Sequence, residues 1–299
     1  MEKDELVRKI LKLKEEKDAV ILVHNYQRPE IYEVADFIGD SLDLSMKARE
    51  TEKKIIVFCG VDFMAEAAKI LNPGKKVLHP DPDAKCPMAG MVNLERLKRV
   101  KRENPGAKVV CYINTTAETK AESDYVCTSM NAEKVVRSLK GKIIFVPDYN
   151  LGKWAEKRTG VSMILWPGFC YVHDRVSKEN IERMKRKHPE AKVIAHPECP
   201  LEVLEISDFV TGTGGMIKYA KSSEAKEFII ATEEGMCNRL RREVPGKRFY
   251  PAAGVCENMK KITLEKVYES LRDEKYEVRI PEGTAKRAGK ALERMMEFA

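Results

Sequence analysis

A chain of 299 residues is long for one hydrophobic core and points to two or three domains. Hydrophobic residues make up 43% and charged residues 34%, which excludes a disordered chain, and no run approaches the roughly 18 apolar residues of a membrane span. Fifty-four Lys and Arg against 47 Asp and Glu leave a net charge of +7, mildly favourable to anionic ligands and too small to argue for a nucleic-acid binder.

The opening segment, MEKDELVRKILKLKEEK, reads as a charged amphipathic helix without a signal-peptide core, so a cytoplasmic protein with no membrane partner is expected. Short β-rich runs follow (VILVH, ADFIG, IIVFC, KVLHP), separated by helical spacing in LDLSMKARE and FMAEAAKIL. Strands alternating with helices predict the α/β class, with parallel sheets covered on both faces.

This pattern recurs twice. Segments beginning near positions 17, 106 and 190 align without gaps on Asp36, Asp124 and Asp208, which are 88 and 84 positions apart. The same offsets superimpose His24 on Tyr112 and His196, Tyr26 on Asn114 and Glu198, and Ser41 on Ser129 and Thr213. The second half of each copy ends on a cysteine: Cys86, Cys170 and Cys256, 84 and 86 positions apart. Three α/β units are expected at 1–86, 87–171 and 172–261, with a tail at 262–299 folding back on the first. Basic runs before Val109 (ERLKRVKRENPG) and Val193 (IERMKRKHPE) lack interleaved aromatics and read as solvated helix faces, so no nucleic-acid partner is expected.

In open parallel sheets, ligands bind where strand-to-helix loops converge at the carboxyl ends of strands. His24-Asn25-Tyr26, Asn114-Thr115-Thr116 and His196-Pro197-Glu198-Cys199 all follow predicted strands, so rough threefold symmetry aims them at one shared cavity. Cys86, Cys170 and Cys256 occupy equivalent irregular segments, and three converging thiolates suit an iron-sulfur cluster or zinc. None of the three belongs to a CxxC pair. Cys59, Cys111, Cys127 and Cys237 read as core residues, and Cys199 as a site-lining one. Ser41, Ser129 and Thr213 precede helical segments, where hydroxyls and free N–H groups hold phosphate or carboxylate, although simple N-caps use the same residues. His24, His173 and His196 fall near these loops, and Tyr26 with Glu198 supplies a phenol and a carboxylate for acid/base work. His79 and His188 read as surface residues.

Taken together, HNYQ, ADFIGDS, GVDFMAE, CPMA, CTSMNA, PDYNLG, HPECP, TGTGG and VCENMKK resemble the quinolinate synthase family over essentially the whole chain. The resemblance implies three α/β/α sandwich domains around a pseudo-threefold axis, and a 4Fe-4S cluster on Cys86, Cys170 and Cys256 with one iron open as a Lewis acid. It implies condensation of iminoaspartate with dihydroxyacetone phosphate to quinolinate, with loss of phosphate and two waters, in NAD biosynthesis. A functional link to the enzyme that supplies iminoaspartate comes with it. Tyr26, His196 and Glu198 match residues for proton transfer, with Glu198 the base in a carbonyl isomerisation. His24, Ser41, Tyr112, Asn114, Ser129, His173 and Thr213 match residues that hold substrate. Gly212 departs from the family, where a hydroxyl residue is common, and CENM lacks a further cysteine that some relatives carry. Another 4Fe-4S hydro-lyase and a non-enzymatic cysteine-ligated metal or redox protein are the alternatives.

Overall fold

The structure, a computed structural model, describes residues 2–298. After helix α1 (Lys3–Glu16), the first sheet contains β1 (Ala19–His24), β2 (Phe37–Gly39), β3 (Ile55–Cys59) and β4 (Lys76–Leu78), with α2 (Ser41–Glu50) and α3 (Asp62–Leu71) between its strands. Helix α4 (Leu94–Glu103) leads into β5 (Lys108–Tyr112), α5 (Ala117–Ala121), β6 (Tyr125–Cys127), α6 (Ala132–Ser138), β7 (Ile143–Val146), α7 (Tyr149–Thr159) and β8 (Ile164–Leu165). Helix α8 (Lys178–Lys187) opens the third copy: β9 (Lys192–Ala195), α9 (Leu201–Glu205), β10 (Phe209–Val210), α10 (Thr213–Ser222), β11 (Glu227–Ala231), α11 (Gly235–Glu243) and β12 (Arg248–Pro251).

The three sheets share one strand order, β2-β1-β3-β4, β6-β5-β7-β8 and β10-β9-β11-β12, and every pairing between these strands is parallel. This is the triplicated α/β/α architecture, and alternation along the strands explains it. Ile21, Val23 and Val57 enter one apolar cluster with Leu6 and Ile10 of α1, while Leu22 and Ile56 enter the large central cluster. Val193, Ala195 and Ile229 likewise turn to a separate third-unit cluster with Ile181 and Val203, and Ile194 and Ile230 turn to the central one. Strands buried on both faces need the near-continuous apolar runs seen in the sequence.

The aspartates that align the repeats have one structural task in each copy. Asp36, Asp124 and Asp208 accept the backbone N–H of Ile21, Val109 and Val193 at 2.8, 2.9 and 2.8 Å, fixing the start of the central strand from the turn before its edge neighbour. A lysine neutralises each carboxylate: Lys14 at 2.7 Å, Lys108 at 3.6 Å and Lys192 at 2.8 Å. The basic helices α4 and α8 bury only Leu97 and Ile181, so their charges do face solvent.

The tail meets two units. Helix α12 (Leu264–Asp273) lies on α1 and β3, and Val278 donates to the Val77 carbonyl at 2.8 Å along the edge of the first sheet. Helix α13 (Glu282–Met296) packs on α5 and β6 of the second unit and on α3 of the first. Among the described residues no helix is long and apolar enough to cross a membrane.

Candidate active site

Corresponding strand ends bring corresponding side chains to one place. The central strands β1, β5 and β9 lead to His24 and Tyr26, Tyr112 and Asn114, and His196 and Glu198. The edge strands β2, β6 and β10 lead to Ser41, Ser129 and Thr213, and β4, β8 and β12 lead to Cys86, Cys170 and Cys256. His173 follows the second cysteine by three positions. All of these residues line a single cavity between the three units.

Glu198 is the centre of the polar network. Its Oε2 lies 2.7 Å from His173 Nδ1 and 3.4 Å from His196 Nδ1, and Asn114 Nδ2 donates to Oε1 at 3.4 Å. Burial opposes the charge of Glu198, but the two imidazoles outweigh it and hold the carboxyl well below the usual range. His173 Nε2 lies 2.7 Å from Thr232 Oγ1, which lies 2.5 Å from the Tyr26 hydroxyl. One proton arrangement runs through this chain of contacts: Tyr26 donates to Thr232, Thr232 donates to Nε2 of His173, and His173 Nδ1–H donates to Glu198. Burial, and then the Glu198 charge, raise the Tyr26 phenol well above its ordinary range, so it holds its proton at rest. Tyr112 is raised by the same two causes.

His24 presents a different face. Its Nδ1 accepts the Tyr26 N–H at 3.2 Å, which puts the proton of the neutral ring on Nε2 and makes that atom a donor. Burial, helped by His196 and Lys260, pushes His24 down to about 3, so it works as a neutral donor. His196 is also lowered by burial, against the pull of Glu198.

The hydroxyl loops lie at or near helix starts and line the cavity. Ser41 is the first residue of α2, whose cap is Asp40, accepting from Leu42 and Asp43 N–H. Thr213 opens α10 behind Gly212, which provides no side-chain cap, and its hydroxyl accepts Asn25 Nδ2 at 2.9 Å. A Cβ on Gly212 would sit 2.7 Å from Ser129 Oγ and 2.8 Å from Met130 Sδ. Glycine at this position lets the third unit's loop close on Ser129 of the second.

Cys86, Cys170 and Cys256 are half-buried free thiols. Burial pushes all three thiols up, and the charge of Cys256 on Cys86, and of Cys86 on Cys170, adds to it. Thiols buried in one cavity in this way become thiolates only when a cation compensates them, which fits a metal-bound group. Cys170 Sγ, a ring nitrogen of His173 and a carboxylate oxygen of Glu198 lie within 4.8 Å of one another, a set able to hold a metal ion.

Some expectations are corrected by these surroundings. Cys199 does not line the cavity: it is buried in the third unit's core and its thiol donates to the Ala231 carbonyl at 3.3 Å, because the chain turns inward after Glu198. His79 is not on the surface; it is buried with Nε2 on the Gly60 carbonyl at 3.1 Å. His188 is partly exposed and stacks on Tyr250 with ring centroids 3.7 Å apart. Thr232 and Lys120 lie outside the residues that the sequence singles out; Lys120 is fully buried, its Nζ donates to the Thr115 carbonyl and stands 5.5 Å from the Phe63 ring centroid, and so braces the loop of Asn114. The segment TTAETKA is largely polar, so the burial of its lysine has no signal in the sequence.

The geometry can be set beside known proteins. The family model described as quinolinate synthetase A protein matches residues 8–297. Quinolinate synthase 2 of Methanosarcina acetivorans is 50% identical over 302 residues, covering 100% of this chain and 97% of the relative. The quinolinate synthases of Desulforudis audaxviator and Pyrococcus horikoshii are each 50% identical, over 297 and 300 residues, covering 98% and 99% of this chain and the same shares of the relatives. With one cavity built from three equivalent sets of loops, and a match from end to end, this chain belongs to the quinolinate synthetase A family.

Proposed function

We propose that this chain is a cytoplasmic quinolinate synthase that condenses iminoaspartate, passed on by the enzyme that makes it, with dihydroxyacetone phosphate. The products are quinolinate, one phosphate and two waters, and quinolinate feeds NAD biosynthesis. The observation that carries this reading is the convergence of three thiols, three hydroxyl-bearing loops and the Glu198 network on one cavity. The reading divides the chain after Cys86 and after Tyr171, with 262–299 as an added tail.

Cys86, Cys170 and Cys256 would hold a 4Fe-4S cluster that leaves one iron without a protein ligand, and this supplies Lewis acidity toward a substrate carboxylate or hydroxyl. The remaining work belongs to side chains. Ser41 and Thr213, each the first residue of a helix, and Ser129, two residues before the cap position of α6, take the phosphate or a carboxylate. His24 and Tyr112 add neutral donors, and Asn114 orients both substrate and Glu198.

Closing the pyridine ring requires a carbonyl to move between adjacent carbons, so a proton leaves one site and returns at the next. Glu198, held anionic, takes it. The Tyr26–Thr232–His173 path lets charge created at one end of the cavity be met by a proton from the other. His196, stacked on His173 with ring centroids 4.7 Å apart, holds Glu198 from its second side.

The test is anaerobic purification, iron and sulfide analysis, and a quinolinate assay with and without dihydroxyacetone phosphate. About four irons and four sulfides per chain are expected, and Cys86→Ala, Cys170→Ala or Cys256→Ala should abolish both the visible absorbance and turnover. Full activity in a colourless aerobic preparation would overturn the proposal. The Cys170–His173–Glu198 set alone favours a second reading, a single-ion site, which predicts one metal per chain and no sulfide.

A further inference from the structure

The remaining strands, β3, β7 and β11, also end in one feature per unit. Asp62, Asp148 and Glu233 follow them, and the three cysteines come 24, 22 and 23 positions later. Asp62 Oδ1 accepts the backbone N–H of Cys86 at 2.9 Å, and Glu233 Oε1 accepts that of Cys256 at 3.1 Å. The second unit differs: Asp148 Oδ1 accepts Leu151 N–H at 2.7 Å, and its Oδ2 has no hydrogen-bond partner. Asp62 and Glu233 therefore face the amide of their own unit's cysteine across a strand pair, β3 with β4 and β11 with β12, and Asp148 holds the equivalent place between β7 and β8, bridged to Gly168 two residues before Cys170.

Glu233 carries the contact furthest. It is 1% exposed, takes Gly235 N–H at 2.7 Å, and pairs with Lys260 Nζ at 3.0 Å. Lys260 also donates to the backbone carbonyl of Tyr26 in the first unit, so one ion pair ties the Cys256 loop to the Tyr26 loop. Space for this tie depends on Gly235. A Cβ there would stand 2.7 Å from Glu233 Oε2, 2.7 Å from Lys260 Nζ and 2.8 Å from the Tyr26 carbonyl oxygen.

We infer that Asp62, Asp148 and Glu233 are positioning residues for the thiolate site: each stands beside the main chain that carries one cysteine, and Asp62 and Glu233 take up the cysteine N–H, which is thereby withheld from the sulfurs. A hydrogen bond to a cluster sulfur raises its reduction potential, and a nearby carboxylate lowers it, so the triad has an electronic effect as well as a geometric one. The inference rests on the three-cysteine reading above. The competing account is plain helix capping, since Asp62 also accepts Phe63 N–H and Asp148 accepts Leu151 N–H.

The experiment reconstitutes the whole chain anaerobically with iron and sulfide and follows loss of visible absorbance to an iron chelator. Asp62→Ala, Asp148→Ala and Glu233→Ala should each lose the cluster about 10–100-fold faster than the unsubstituted chain. The isosteric Asp62→Asn and Glu233→Gln guard against misfolding; they keep an acceptor, and should retain the cluster longer than the alanine variants while raising its midpoint potential. Thr263→Ala, which removes the cap that α12 receives at Lys266 N–H, should lower the melting temperature and leave the chelation rate unchanged. If the three alanine variants melt lower but keep wild-type chelation rates and potential, the acids are only caps and the inference fails. Failure of the underlying reading looks different: the unsubstituted chain itself takes up no iron and sulfide, or Cys86→Ala keeps a full complement.

Discussion

Replacing Thr232 by Val keeps a branched side chain at the end of β11 and removes a single hydroxyl. That hydroxyl is fully buried, 2.5 Å from the Tyr26 oxygen and 2.7 Å from His173 Nε2. Valine leaves two buried polar groups unpartnered, each costing about 1–3 kcal/mol, so the ground-state loss is about 2–6 kcal/mol if neither relaxes. It also breaks the only hydroxyl bridge described between the phenol and the imidazole. General acid/base groups contribute typically 10²–10⁴-fold, and a broken relay that leaves Glu198 in place should cost about 10²-fold in kcat. Anaerobic turnover to quinolinate, iron and sulfide content, and thermal melting are measured on the same preparation. Thr232→Ser retains the hydroxyl and should recover most of the rate. Wild-type kcat in Thr232→Val with its cluster intact would refute the relay, and equal losses in the Val and Ser variants would assign the effect to packing of the methyl group.

Two further substitutions separate the base from the anion pocket. Glu198→Gln keeps shape and removes the anion, so kcat should fall about 10²–10⁴-fold with little change in substrate binding measured by calorimetry. Asp40 is a raised carboxyl, pushed up to about 6 by burial and then by Asp43, against an unfolded value near 4. The folded state therefore binds more protons than the unfolded one between about pH 4 and 6, and stability falls as pH rises through that window. Asn caps a helix as well as Asp, so Asp40→Asn should melt above wild type at pH 7.5, with the gap closing near pH 4. Because Asp40 borders the same cavity as Ser41 and Thr213, the substitution should also flatten any rise in KM for the phosphorylated substrate across that window.

What could be read in advance follows from what repeats. Asp36, Asp124 and Asp208 keep one residue type in one register because each caps a central strand, and they let the copies be aligned. The cysteines are fixed in the same way, once per unit. Asp62, Asp148 and Glu233 repeat in space but not in register: counted back from the cysteines they drift by one or two positions, and one is a Glu, so a gap-free comparison passes over them. Thr232 is harder still. Threonine at a strand end is common, and its meaning depends on Tyr26 and His173, 206 and 59 positions away. Cys199 and His79 escape for a related reason: a place on a functional loop for Cys199, or on a polar loop for His79, says nothing about which way a side chain turns.

The unequal positions explain how a threefold scaffold performs a directional reaction. Each copy carries one thiol at the equivalent place, as befits the proposed ligand set, which a pseudo-threefold axis can present evenly. Proton chemistry needs the opposite, one base and a distinct donor, and the three copies diverge there: Tyr26, Asn114 and Glu198 occupy equivalent places with a phenol, an amide and a carboxylate. An acid in place of Asn114 would face Glu198 Oε1 across the 3.4 Å contact that the amide now fills. Two buried anions at that distance push each other toward protonation. Asp148 already shows the direction: burial, and then Glu198, raise it well above the ordinary carboxyl range, while Glu198 stays low beside two imidazoles. With Glu198 as the proposed base, keeping one anion at these equivalent places therefore requires that the other two copies give up theirs.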